Sequence, residues 1–162
     1  MLMVSVVADF NSIIMSLQVK NIPGDFETNN LFLNLSGIPA SLLAGYLCFK
    51  LSARALFFNG FCLQVFAGLA IVFLIQPNDP TWTLPALLSA ARIGNAFTES
   101  VVRIVHPKMF PTLFALTSLG YVTVSTKIIS LPGPMVAEID FPTPMLIFAI
   151  SNIVAALVAL LL

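Results

Sequence analysis

The chain has 162 residues, of which 59% belong to the hydrophobic set AVILMFWYC and only 9% are charged. An ordinary soluble domain has about 25% charged residues, and one of this length could not bury so much apolar surface in its own core. The formal net charge is zero, which argues against a nucleic-acid partner, so the composition predicts an all-α membrane protein whose main partner is the lipid bilayer.

Six stretches of the sequence are apolar and close to the roughly 20 residues that a helix needs to cross the hydrocarbon layer. In chain order they are residues 1–18, 30–49, 56–75, 84–105, 112–131 and 144–162. Turn-forming runs separate several of them, at residues 21–25, 76–80 and 132–134. No linker long enough to divide two domains occurs, so residues 1–162 are predicted to form a single domain of six transmembrane helices.

The distribution of Lys and Arg predicts the orientation, because these residues are enriched in cytoplasmic loops. With the N-terminus in the cytoplasm, the inner side receives Lys50, Arg54, Arg103 and Lys108. The outer side receives the single basic residue Lys20, together with the acidic residues Asp25, Glu27, Asp79, Glu138 and Asp140. Both termini are therefore predicted to be cytoplasmic.

The fourth predicted helix has polar side chains on one face. They are Arg92, Asn95, Glu99 and Arg103. Spacings of three and four residues align them, and Glu99 precedes Arg103 by four residues, which favours an ion pair. Ionisable groups within a membrane are costly and face other helices or water. The stripe is either a structural contact between helices or the wall of a solute cavity, and the sequence leaves both interpretations open.

The fifth predicted helix presents Gly120, Thr123, Lys127 and Ser130 on one face. Lys127 either reaches the outer interface by snorkelling or lies in a cavity, paired with Glu99 or with an anionic solute. In the first helix, Asp9 and Asn11 interrupt an apolar run and are similar candidates.

Small residues repeat every four positions in two predicted helices, which allows close approach of helix backbones. They are Gly37, Ser41 and Gly45 in the second helix, and Ser151, Ala155 and Ala159 in the sixth. By contrast, no phosphate-binding loop, metal-ligand spacing or nucleophile–base pair is evident in the sequence. We therefore expect no metal, no cofactor and no enzymatic activity.

Several segments resemble a known family. Residues 38–45, Ile-Pro-Ala-Ser-Leu-Leu-Ala-Gly, with residues 50–54, Lys-Leu-Ser-Ala-Arg, resemble the eighth helix and following loop of the organic cation/anion transporters of the major facilitator superfamily. Residues 109–112, Met-Phe-Pro-Thr, are similar to the segment that joins the tenth and eleventh helices of that family. The resemblance covers nearly the whole chain, but only the second six-helix half of the twelve-helix family.

The resemblance implies transport of small organic ions by alternating access about a central cavity. It also implies a partner, either an N-terminal six-helix half or a second copy of this chain, and a location in the plasma membrane. The candidate solute-binding residues are Arg92, Asn95, Glu99, Tyr121 and Lys127, among which basic groups outnumber acidic ones and slightly favour an organic anion. The candidate gating-loop residues are Lys50, Arg54, Arg103 and Lys108.

The sequence also departs from the family pattern. Phe49 stands where the family has a loop aspartate, and Lys108 replaces a glutamate. These departures keep an alternative open: a non-transporting membrane subunit, or a truncated relic that associates with full-length carriers. A homo-oligomeric channel is a third possibility, although the sequence contains no filter-like motif.

Overall fold

The structure is a computed structural model that describes residues 1–18, 26–74, 83–139 and 143–161. Its helices are α1 (Leu2–Gln18), α2 (Phe26–Leu35), α3 (Gly37–Leu47), α4 (Ala53–Leu74), α5 (Thr83–Met109), α6 (Thr112–Ile129), α7 (Gly133–Ala137) and α8 (Thr143–Leu160). No strand occurs among these described residues, which confirms the prediction of an all-α fold.

Each predicted span overlaps one long helix or, for residues 30–49, the consecutive pair α2 and α3. Within the described part of the chain, two helices are long and apolar enough to cross a membrane, over Ala53–Phe73 in α4 and Thr143–Leu160 in α8. Helix α1 is apolar but shorter, as is the apolar segment Leu113–Ile129 of α6. Helix α5 is longer, but it contains five ionisable side chains: Arg92, Glu99, Arg103, His106 and Lys108. The number of six spans therefore stays a prediction.

The second predicted span is divided at Ser36. Pro39 lacks the N–H group that would donate to the Leu35 carbonyl in a continuous α-helix, and the helical pattern is interrupted one residue after Leu35. The Ser36 hydroxyl donates a hydrogen bond to the Leu33 carbonyl at 2.7 Å, which satisfies one acceptor at this break.

Two other segments differ from the predicted boundaries. Helix α5 continues through Pro107 to Met109, beyond the predicted end at residue 105. The segment after α6, predicted as a turn, contains the five-residue helix α7, which has proline in its first turn, where this residue is favoured. The predicted breaks at residues 21–25 and 76–80 lie outside the described residues, as do Lys20, Asp25, Asp79 and Asp140.

Helix α4 packs against both α5 and α8 and forms the centre of the bundle. Its buried Phe57 and Phe61 belong to one apolar cluster, while its Ile71 packs in a second cluster with Phe148 of α8. Helices α4 and α5 lie close together at Gly94, where a Cβ atom would lie only 2.8 Å from the Gln64 Cγ atom. Only glycine permits that separation without displacement of a neighbour.

The small residues of α8 pack as predicted, whereas the predicted face of α3 packs only in part: a Cβ atom at Gly37 would lie 3.8 Å from the Ala96 Cβ atom of α5. Ala155 and Ala159 of α8 are buried. In α3, however, the buried positions are Ala40 and Ala44, and a Cβ atom at Gly45 would have no neighbour within 4 Å. Both sets have the same four-residue period, so the period alone could not identify which face of α3 packs against the bundle.

Buried amides join α1 to α8. The Asn11 side-chain amide donates to the Asn152 Oδ1 atom at 2.8 Å, and both side chains are fully buried. The Ser151 hydroxyl donates to the Asn11 Oδ1 atom at 3.0 Å. Asn11, a candidate polar residue in the sequence, thus connects α1 to α8.

Candidate functional site

A cavity of about 230 Å³ lies between α1, α5 and α6, and we refer to it as the α1–α5–α6 cavity. Its ionisable lining side chains are Asp9, Glu99, Arg103 and Lys127. Hydroxyl groups of Ser5, Thr123 and Thr126 also contribute to the wall. The cavity therefore combines two acidic and two basic groups with hydrogen-bonding hydroxyls, between helices that are otherwise largely apolar.

An ion pair connects two walls of this cavity. The Nζ atom of Lys127, in the last turn of α6, lies 3.1 Å from the Oδ2 atom of Asp9, near the middle of α1. The Asp9 side chain is 19% exposed and the Lys127 side chain is 63% exposed. Lys127 therefore pairs with the carboxylate of α1 and not with Glu99.

The third wall of the cavity is the polar face of α5. The Glu99 Oε2 atom lies 3.9 Å from the Arg103 Nη2 atom, as the four-residue spacing predicted. Asn95 is fully buried behind Glu99 and donates to the Glu99 Oε1 atom at 3.4 Å. The Asn95 Oδ1 atom has no hydrogen-bond partner among the described residues. Asn95 thus orients Glu99 from behind and does not line the cavity itself.

An open groove of about 490 Å³ runs on the other side of α5, against α2 and α3. Glu99 and Arg103 line this groove as well as the α1–α5–α6 cavity, so they form a shared wall. Arg92 lines the groove but not the α1–α5–α6 cavity. Its Nη1 atom donates a hydrogen bond to the Ser12 hydroxyl of α1 at 2.8 Å. Arg92 is therefore close to the cavity but opens to a different surface.

Tyr121 is separate from the cavity. Its side chain is 72% exposed on α6, and it is absent from the cavity lining. Among the candidate solute-binding residues, the structure thus brings Glu99 and Lys127 to the cavity. It places Asn95 behind the cavity, Arg92 in the groove and Tyr121 on the exposed surface of α6.

The predicted gating residues divide into two groups. Two of them make cation–π contacts. The Lys50 Nζ atom lies 4.6 Å from the Tyr46 ring centroid, and the Lys108 Nζ atom lies 5.4 Å from the Phe49 ring centroid. The end of α5 therefore contacts the loop between α3 and α4, and Arg54 is the second residue of α4 beside that loop. Arg103 is different, because it lines the cavity with Glu99.

Asp9 is an ionisable residue of the cavity lining that neither the predicted solute-binding set nor the predicted gating set includes. The sequence does contain a signal for it, since a carboxylate interrupts an apolar run. With Asp9 and Arg103 included, acidic and basic groups are equal in number in the cavity lining. The excess of basic groups in the predicted set therefore does not describe this cavity.

No three His, Cys, Asp or Glu side chains within the described ranges form a group that could hold a metal ion. A comparison with protein-family models finds no match for the chain, and no curated protein matches it in sequence.

Proposed function

We propose that this chain is a six-span integral membrane protein that moves small organic ions by alternating access, as one half of a two-part carrier. The proposal combines the resemblance to the organic cation/anion transporters with the geometry of the α1–α5–α6 cavity. The observation that carries it is the presence of four ionisable side chains around one cavity between long helices. The partner would be an N-terminal six-helix half or a second copy of the chain.

The pattern of exposed apolar side chains supports a lipid environment. Leu113 and Leu116 of α6 are 86% and 81% exposed. Soluble proteins rarely expose large contiguous apolar patches, whereas lipid would cover such a face. Helices α1 and α6 have 17 and 18 residues, which gives lengths of about 26–27 Å, close to the roughly 30 Å thickness of a bilayer core.

The charges support a function for the cavity beyond packing. Ionisable residues within membrane spans are costly, so they pair with one another and commonly mark the pathway of a solute or ion. The Asp9–Lys127 pair joins α1 to α6, and the cavity beside it is wide enough for several water molecules. A purely structural ion pair would not require that space.

Uptake into liposomes tests the proposal. We expect the purified chain, co-reconstituted with a related N-terminal half, to take up radiolabelled benzoate or benzylamine with saturable kinetics. These probes have similar shapes and opposite charges near neutral pH, so the comparison shows which sign of charge is preferred. Liposomes that contain an equal amount of inserted protein but show no saturable uptake of either probe would contradict the carrier function.

Cysteine labelling tests the six-span topology independently. In a background with Cys48 and Cys62 replaced by serine, cysteines are introduced one at a time at Glu27, Glu138, Lys50 and Lys108. We expect a membrane-impermeant maleimide to label intact cells at the first two positions, and at the last two only after permeabilisation. Labelling of all four sites in intact cells would rule out this arrangement of the loops.

A non-transporting membrane subunit is the second candidate, and a contact at the gating loop favours it. Lys108 and Phe49 both stand where the resembled family has carboxylates, and the Lys108 ammonium group lies above the Phe49 ring. A cation–π contact of this kind is worth about 0.5–1 kcal/mol at an exposed site. This pair puts a cation–π contact where the resemblance implies carboxylates that take part in gating. Absence of uptake combined with stable association with a full-length carrier would support this alternative.

A further inference from the structure

We infer that Asp9 acts as an internal competitor for Lys127, so that an anionic solute group binds in the α1–α5–α6 cavity only when Lys127 leaves its contact with the Asp9 carboxylate. This inference rests on the proposed function, because it assigns a selectivity role within the same cavity. It makes Asp9 a specificity-determining residue that reduces the affinity of the cavity for anions.

Among the residues that the structure describes, Lys127 has one carboxylate partner. Its ammonium group lies 3.1 Å from Asp9, whereas Glu99 has its own partner, Arg103, on the same helix. Asp9 and Lys127 come from different helices and both line the cavity. A solute anion that enters the cavity therefore meets a lysine that is already neutralised.

The exposure of the two side chains allows exchange of the partner. The Lys127 side chain is 63% exposed and flexible, whereas Asp9 is 19% exposed and belongs to a helix fixed by the buried Asn11–Asn152 hydrogen bond. The lysine can turn toward a solute while the carboxylate stays in place. At that point Asp9 also repels the solute anion, because like charges a few ångströms apart interact unfavourably.

Asp9→Asn removes the charge and preserves the shape of the side chain. Equilibrium binding of radiolabelled benzoate to the purified chain in lipid nanodiscs should become about tenfold tighter, a magnitude reduced by the partial exposure of Lys127. Binding of benzylamine should stay the same or weaken, because the variant loses an anionic group. Glu27→Gln is the matched control: Glu27 is exposed on α2 outside the cavity, and the Kd of benzoate should not change.

The double variant Asp9→Asn/Lys127→Ala identifies the route of the effect. If Asp9 acts through Lys127, the double variant should lose the tighter benzoate binding, and the two substitutions should not be additive. A double variant that binds benzoate as tightly as Asp9→Asn alone would overturn the inference. Asp9→Ser provides a second neutral variant if the asparagine variant does not insert or fold.

Binding and uptake separate the two hypotheses. An unchanged or weaker benzoate affinity in Asp9→Asn overturns the role of Asp9, even where the wild-type chain transports. Tighter benzoate binding supports that role, including the case in which the wild-type protein binds no measurable benzoate. Tighter binding without saturable uptake in any variant would retain the role of Asp9 but refute transport.

Discussion

Replacement of Lys127 by alanine should reduce the initial rate of saturable anion uptake by at least about tenfold. The substitution removes the ammonium group that a solute anion would contact, and it leaves Asp9 in the cavity without its 3.1 Å partner. Loss of interactions worth about 1.4 kcal/mol is sufficient for a tenfold effect. The measurement is radiolabelled benzoate uptake into liposomes, normalised to the amount of inserted protein.

Two further variants exclude simpler causes of such a loss. Lys127→Arg keeps the charge and should retain a substantial part of the uptake. Asp9→Ala/Lys127→Ala removes both charges, so it tests whether an unpaired carboxylate, and not the missing cation, is responsible. Normal uptake kinetics in Lys127→Ala, with Glu138→Gln as an exposed control in the turn after α7, would remove Lys127 from the solute site.

Replacement of Gly94 by leucine should lower the free energy of unfolding by about 1–3 kcal/mol, as expected for overpacking of a well-packed contact. A Cβ atom there would lie 2.8 Å from the Gln64 Cγ atom and 3.2 Å from the Gly60 carbonyl oxygen. The second contact is with backbone, so α4 and α5 would have to separate. The thermal midpoint in detergent micelles should fall accordingly.

Gly45→Leu is the matched control for this prediction. It introduces the same side chain into a helix, but no atom lies within 4 Å of the position that the Cβ would occupy. Its effect on the free energy of unfolding should stay within about 0.5 kcal/mol. Equal midpoints for the two variants would show that the α4–α5 approach is looser than the structure indicates.

The helical architecture could be predicted because it depends on local properties of the chain. Long apolar runs and turn-forming residues determine where a helix starts and ends. Apart from the short α7, the observed helices fall within the six predicted stretches or extend them by a few residues. The interruption at Ser36 has a local cause too, Pro39, which was available in the sequence. The four-residue spacing likewise predicted the Glu99–Arg103 pair, since both residues belong to one helix.

Contacts between helices could not be predicted in the same way. The Gly60–Gly94 approach joins residues 34 positions apart, and neither glycine belongs to the four-residue repeats that the sequence suggested. In α3 the predicted repeat was Gly37, Ser41 and Gly45, but the buried small residues are Ala40 and Ala44. The choice depends on how the helices rotate about their axes, which the periodicity of one helix does not define.

The sequence by itself determined that this chain is helical and rich in apolar segments, and that charged residues interrupt those segments at positions such as Asp9, Glu99 and Lys127. Only the tertiary structure decided that Lys127 pairs with Asp9, that Arg103 shares the cavity with Glu99, and that Tyr121 lies outside it. The physical reason is that the two kinds of interaction act over different separations along the chain. Helix formation and the alignment of side chains on a face depend on neighbours within a few residues, whereas the Asp9–Lys127 pair joins two helices far apart in the chain, and its geometry is set by the packing of the whole bundle.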